Sequence, residues 1–233
     1  MDHLALMAIS DIEEFWKSAY GPPLEGKFTP VTALFSYDSP YKEGMVCGES
    51  SHHNVNLSFC DDPEAQNCPS ADPKECTPAA NTIAWDRGVQ VPQDRDMFGV
   101  MLIAEDLGHE YGHAIQDMAD LIHESDDQTA GLVAEQQADC FAGVYLRWIA
   151  DGKSPRFTMN TGETLDQMVA SQLAVRDSLF GESDPYVTEA IHGSGFERIT
   201  AFQMGFTPTA SRHVRPSTGR RSAAAGVTCR QIC

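Results

Sequence analysis

Residues 109–113, His109-Glu110-Tyr111-Gly112-His113, read H-E-x-x-H, and what surrounds them decides the fold. On an α-helix, residues four apart share a face, so the two imidazoles converge on one point while Glu110 stands about 100° round from His109. That spacing is the ligand pair and general base of a zinc hydrolase, provided the segment is helical. The run before it, Met97 to Leu107, is apolar at helical spacing, with Phe98, Met101 and Leu102 on one face and Val100, Ile103 and Leu107 next to it. Continued through Ile115 to Met118, the pattern predicts a single helix of roughly six turns. Gly112 inside that helix costs roughly 1 kcal/mol relative to alanine, which points to a close approach of a neighbouring backbone or of a substrate.

Two histidines leave a catalytic zinc one protein ligand short, because such a zinc takes three and keeps a fourth position for water. A second helical pattern, Thr129 to Ala150, ends before Gly152 and carries Glu135 and Asp139 one turn apart. These acids border an apolar stripe that includes Leu132, Val133, Ala138 and Phe141. Ligation by Glu135, with Asp139 accepting the free N–H of a ligand imidazole, explains both. The plainer reading makes Glu135 a surface acid and Asp139 a partner of Arg147 or Arg176. Ala134, Ala138, Ala142 and Gly143 are small enough to let this helix lie close against the histidine helix.

The remaining chain predicts an α+β, mostly helical domain spanning residues 1–206. A helix over Asp11 to Tyr20 opens at a capping box from Ser10 to Glu13, and a strand follows at Val31 to Tyr37. Residues 38–80 hold five prolines and four cysteines with little periodicity, which reads as a loop-rich insertion without a core of its own. The β-branched and aromatic run around Ile83, Ala84 and Trp85 reads as a strand. At a sheet edge it would pair with an extended substrate; as an interior strand it would have no such role. Helices near Leu165 to Leu179 and near 195–205 complete the domain, the last starting at Ser194. The stretch 207–233 is arginine-rich, lacks Asp and Glu, and reads as a disordered basic tail.

Composition narrows the partners. With 34 acidic against 16 basic residues and a net charge of −18, the chain is unsuited to nucleic acid, whose phosphates need cationic patches. The run Leu4 to Ile9 is far shorter than the roughly 20 residues a membrane span needs, and it lacks a basic flank and a cleavage site. Seven cysteines, four of them in the insertion, favour disulfides and an extracytoplasmic, oxidising compartment, with the chain read as a mature or truncated form. Reduced thiols in the cytosol are the competing reading, and a second zinc site is disfavoured because no C-x-x-C pair is present. Four cysteines permit three pairings, and Cys140 reads either as a buried free thiol or as the partner of a tail cysteine.

Three blocks in order, HEYGHAIQ (109–116), AEQQADCFAG (134–143) and HGSGFERITAFQMGF (192–206), resemble the bacterial neutral zinc metallopeptidase family, whose ligand arrangement is similar to that of the gluzincins. The resemblance covers roughly residues 11–206 and thins out after Phe206. It implies a zincin-like metallopeptidase domain with a short sheet, one zinc ion, Zn2+, held by His109, His113 and Glu135, Glu110 as catalytic base, and Asp139 as the orienting acid. His192 stands where a histidine begins the family's last block and is assigned the stabilisation of an oxyanion; capping of the final helix is its other reading. The resemblance also pairs Cys47 with Cys76, which leaves Cys60 for Cys68. The reaction it implies is endopeptidase hydrolysis of a peptide or protein substrate. A catalytically silent, zinc-containing binding or scaffold protein of the cell envelope is the alternative, and hydrolysis of a non-peptide amide is a third. No oligomeric state follows from the sequence.

Overall fold

The computed structural model describes residues 1–41, 43–122, 128–174 and 192–207. The tail at 208–233 and the carboxyl end expected for the fifth helix, 175–179, lie outside the described residues. Those described form six α-helices, a three-stranded sheet and two small two-stranded ones, so the chain is α+β.

Helix α1 spans Asp2–Ala19, starting nine residues before the expected position. Ala5, Ala8, Ile9, Ile12, Phe15 and Trp16 form one buried stripe at i, i+3, i+4 spacing, and that burial carries the helix through Leu4 to Ile9. Ser10 is consequently no N-cap. Its hydroxyl donates to the Leu6 carbonyl 2.8 Å away, within the helix. Trp16 packs edge-on against Phe141 with ring centroids 5.3 Å apart, joining α1 to α4 (Gln128–Ala150). Fully buried Asp11 binds the Tyr145 hydroxyl, the Ser154 hydroxyl and Arg156, tying the same two helices and the turn after α4 together.

The sheet contains β1 (Ala33–Tyr37), β4 (Leu57–Cys60) and β7 (Thr82–Asp86), in the order β1-β7-β4. β7 is central, parallel to β1 with Ala33 opposite Thr82, and antiparallel to β4 with Phe59 opposite Ile83. All five β7 residues are buried, as the β-branched and aromatic run suits. Ile83, Ala84 and Trp85 therefore cannot offer a free edge to a substrate, because both of their backbone edges are already paired. Asp86 closes the strand: its buried carboxylate accepts the Ser39 N–H and hydroxyl and the N–H groups of Gly88, Val89 and Gln90. It thereby caps the next helix from outside.

The stretch 38–80 is not a separate appendage. It supplies β4 to the main sheet, two small hairpin-like pairs, β2 (Met45–Val46) with β3 (Glu49–Ser50) and β5 (Gln66–Asn67) with β6 (Thr77–Pro78), and a 3-10 turn at Pro73–Glu75. Tyr37, Val46, Cys60, Ala65, Ala79 and Ala84 pack as a second small core beneath it. Its disulfides are Cys47–Cys60 and Cys68–Cys76, not Cys47–Cys76 with Cys60–Cys68. Cys60 ends β4 with its Cα 5.3 Å from that of Cys47, and the Cα atoms of Cys68 and Cys76 lie 4.1 Å apart. Cys140 is also disulfide-bonded, which removes the free-thiol reading. Separating the Cys47–Cys60 link by replacing both residues with serine is expected to lower stability by about 3 kcal/mol, the loop-closure entropy of a loop near 15 residues, read as a lower denaturant midpoint.

The helix expected from Met97 to Met118 is two helices. α2 (Gln90–Phe98) ends at Gly99, whose φ of 88° is open to glycine and strained for other residues, and α3 (Val100–Met118) starts directly after it. α4 (Gln128–Ala150) ends in a Schellman motif: Gly152, at φ 72°, donates to Ile149 and Lys153 donates to Trp148. α5 spans Glu163–Ala174. α6 (Gly195–Phe206) opens at a complete capping box between Ser194 and Glu197, as its sequence predicts. No helix among the described residues is long and apolar enough to cross a membrane.

Asp94 on α2 is only 7 % exposed, and burial, partly offset by the Gln90 amide, pushes its carboxyl up to about 6. A raised acid pKa opposes folding once pH exceeds the unfolded value near 3.9, with the full penalty present above the folded value. Asp94→Asn is therefore expected to stabilise the chain by about 3 kcal/mol at pH 8 and to change little at pH 4. Thermal unfolding at the two pH values checks this.

Candidate metal centre

α3 and α4 meet backbone to backbone, which fixes the distance between their functional side chains. A Cβ built on Gly112 would lie 3.0 Å from the Ala138 Cα and 3.2 Å from its carbonyl oxygen. One turn earlier, Gly108 faces Ala142 with the corresponding distance at 3.6 Å to its Cα. The order 108-112 against 142-138 makes the helices antiparallel, with Gly112 and the alanines acting as the small-residue contact that their sequence suggests. Gly143 belongs to a different contact, against α6.

Across this seam His109, His113 and Glu135 come together, with ligand atoms all within 4.8 Å of one another. The imidazoles stand nearly perpendicular, at 88°, and their Nε2 atoms are 3.2 Å apart. Each ring is held through its other nitrogen. His109 Nδ1 lies 2.8 Å from Asp139 Oδ1, and His113 Nδ1 lies 2.8 Å from Gln116 Oε1. Gln116 Nε2 donates to the Ala134 carbonyl at 2.7 Å, which assigns the amide oxygen to His113. Both acceptors require N–H at Nδ1, so both Nε2 lone pairs point into the space beside Glu135.

Two facing lone pairs and a carboxylate need positive charge between them. Glu135 Oε2 is buried, 3.2 Å from His109 Nε2, and that contact is an attraction of charges without hydrogen-bond geometry, leaving the oxygen without a proton donor. Protons or a cation can meet the need. Although burial works against a charged imidazole, the Asp139 and Glu135 carboxylates hold His109 well above the ordinary histidine range, and contact with Glu135 raises His113. Burial likewise opposes the Glu135 charge, but both histidines outweigh it and hold this carboxyl far below its usual range. Asp139 is lowered against its own burial by His109 and Arg198. The chemistry of the donor set, two imidazole nitrogens and one carboxylate, fits a divalent metal ion.

Glu110 is outside this set. It is half-buried, and its Oε2 accepts the Phe59 N–H at 2.8 Å, so β4 borders the centre. Asn56 accepts the Asp86 N–H of β7. The backbone groups of Leu57 and Phe59 therefore point away from β7, toward the outer edge of the sheet. His113 and Glu135 remain partly open, with side chains 21 % and 19 % exposed, whereas His109 is 8 % exposed.

Comparison with known proteins returned no match. No family model, curated protein or solved structure is similar enough to this chain to assign it.

The structure brings His109, His113, Glu135 and Asp139 together, with Glu110 next to His109 in the chain and bonded to β4. His192 is half-buried, just before Gly193 at φ 88° and the N-cap Ser194. The Ile83-Ala84-Trp85 strand lies one strand away from the expected position, and the strand at the site is β4. Gln116 and Arg198 were not singled out. Gln116 is three residues past His113, a spacing that sequence could have offered; Arg198 reaches Asp139 from 59 residues away, and no local pattern marks it.

Proposed function

We propose that this chain is a zinc-dependent peptidase, probing an extended peptide or protein substrate at a single Zn2+ centre in a zincin-like, gluzincin-type arrangement. The observation that carries this reading is the His109-His113-Glu135 cluster, built from two helices, with a separate carboxylate, Glu110, next to it and outside the ligand set. A purely structural site closes its coordination with protein ligands and has no use for a base beside an open position.

Zinc bound there supplies Lewis acidity, polarising a carbonyl oxygen and making water acidic near neutral pH. The protein's own residues do the rest. Glu110 takes a proton from the attacking water and returns it to the leaving amide nitrogen, serving as base and then acid. The Phe59 N–H holds one oxygen of this carboxylate and leaves the other to meet the water. Asp139 and Gln116 keep both imidazoles in the tautomer that offers Nε2. The outer edge of β4, with the Leu57 N–H and carbonyl and the Phe59 carbonyl, can pair with an extended substrate by adding a strand, a role assigned here to β4 in place of β7. His192 is the candidate for stabilising the oxyanion. The Cys47–Cys60 and Cys68–Cys76 disulfides support an extracytoplasmic setting.

The test is metal content by mass spectrometry on the purified chain, read beside casein hydrolysis with and without a chelator. The expected result is one zinc per chain, hydrolysis stopped by the chelator, and activity restored by added zinc. Stoichiometric zinc without turnover of any peptide would favour a scaffold, and a chain that takes up no zinc would overturn the reading.

A further inference from the structure

The chemistry of the triad and Glu110 leaves one buried cation on α6 without a task. Arg198 is 7 % exposed, and its guanidinium reaches the fully buried Asp139 through two bonds, Nε to Oδ2 at 3.1 Å and Nη2 to Oδ1 at 2.9 Å. Asp139 Oδ1 also accepts from His109 Nδ1 at 2.8 Å. One carboxylate oxygen thus joins the guanidinium to a metal-binding imidazole.

Two physical effects follow from this chain of contacts. A carboxylate held at a single oxygen can rotate about its terminal torsion, which is broad for aspartate. A guanidinium fork bonded to both oxygens fixes the plane of the carboxylate and, through it, the ring of His109. The second effect is charge. Glu135 and Asp139 place two negative charges around the centre, with Glu105 buried one turn before His109, and Arg198 sets a permanent cation directly against Asp139. Without it, a buried carboxylate would stand uncompensated.

The mounting of Arg198 is rigid. α6 lies against α4 with no side chain between them at two points: a Cβ on Gly143 would fall 2.3 Å from the Phe202 carbonyl oxygen, and one on Gly205 would fall 2.0 Å from that of Cys140. The capping box at Ser194 and Glu197 fixes the start of the same helix one turn before the guanidinium.

We propose that Arg198 is a positioning residue of the metal centre, holding Asp139 so that His109 presents Nε2 to the ion. The inference rests on the metal-centre reading and does not depend on peptidase activity.

The test measures zinc affinity of the full chain by competition with a chromophoric chelator, in the parent, Arg198→Lys, Arg198→Met and the double variant Asp139→Asn with Arg198→Met. Unfolding midpoints of the metal-free proteins and the hydrogen-bonded Nδ1–H resonance of His109 by NMR are recorded alongside. Arg198→Met is expected to lose up to about 10-fold in zinc affinity, the lower end of the roughly 10- to 100-fold cost of removing a partner bonded to a metal ligand, because Arg198 acts one bond further out through Asp139, and to lose or shift that resonance. Arg198→Lys, which restores the charge but not the fork, is expected to recover only part of the affinity. The double variant removes the unpaired carboxylate at position 139, which keeps it folded if Arg198→Met is not, and it is expected to bind zinc at least as weakly as the single one.

Zinc affinity equal to the parent's in Arg198→Met or in the double variant, whatever their unfolding midpoints, would reduce Arg198 to a charge-balancing role and overturn the inference. Full recovery by lysine would overturn it too, since a point charge would then suffice. A parent chain that binds no zinc would instead overturn the metal-centre reading itself.

Discussion

Under the proposed peptidase mechanism, Glu110→Gln is expected to lower peptide hydrolysis by a factor on the order of 10³, within the range seen for loss of a general acid–base group, while zinc content stays at the parent level. The separation of the two effects comes from geometry. Glu110 is not among the atoms that can hold the ion, so the ligand set survives the substitution. Glutamine is nearly isosteric, and its amide oxygen can still accept the Phe59 N–H that now binds Oε2, which keeps the side chain in place. What disappears is a group able to take a proton from water and pass it to a leaving amine. Rates and metal content measured on the same preparation check the result. Retained turnover would assign the base elsewhere, and lost zinc would make Glu110 a ligand.

Glu135→Ala has the second large effect, acting on binding. It removes the only carboxylate of the ligand set and leaves two imidazole Nε2 atoms 3.2 Å apart. Zinc affinity is expected to fall by more than the roughly 10- to 100-fold attached to outer-shell partners, and hydrolysis with it. The metal-free protein offers an independent readout. Despite burial, contacts with His109 and His113 hold the Glu135 carboxyl far down, so its stabilising contribution is present above the unfolded value near 4.3 and is lost on acidification. His109 and His113 are shifted up, against their burial, by the neighbouring carboxylates, so their contribution is full below about 6.5 and is lost as pH rises through the folded values. The metal-free parent is therefore expected to be most stable between about pH 4.5 and 6.5, and Glu135→Ala to flatten that maximum. Unfolding midpoints across pH 3 to 9 in a chelator decide it; an unchanged profile would mean that the three groups are not coupled. Zinc must displace protons from the same atoms, so its affinity for the parent should rise with pH across this window.

The helical spacing of His109 and His113, the acids of α4 one turn apart, and the glycine and alanine positions between the helices carried the centre of the site in local patterns, each depending on side chains within one or two turns. The same holds for the Ser194 cap and the glycine stop at Gly152. What was not legible depended on distant partners. The start of α1 was hidden because its apolar stripe needs the helices around it to be recognised as core, and a good local capping pattern at Ser10 competed with it. β4 has no periodicity of its own and exists through its pairing with β7, so local pattern points to β7 as the strand beside the site. The cysteine pairing followed from where β4 ends, and the Arg198 contact from the packing of α6. Gly99 was visible as a residue but not as a break, since glycine within an apolar helical run is tolerated as often as it interrupts.

The seam between α3 and α4 also limits how far such a protein can change. At Gly112 and Ala138 the two backbones touch, and no flexible side chain is available to absorb a larger residue. A valine at either position would push the helices apart and carry Glu135 away from the histidines, abolishing the centre without altering any ligand. The distance between the ligands therefore hangs on two residues that bind nothing, Gly112 within H-E-x-G-H and Ala138 within A-E-x-x-A-D.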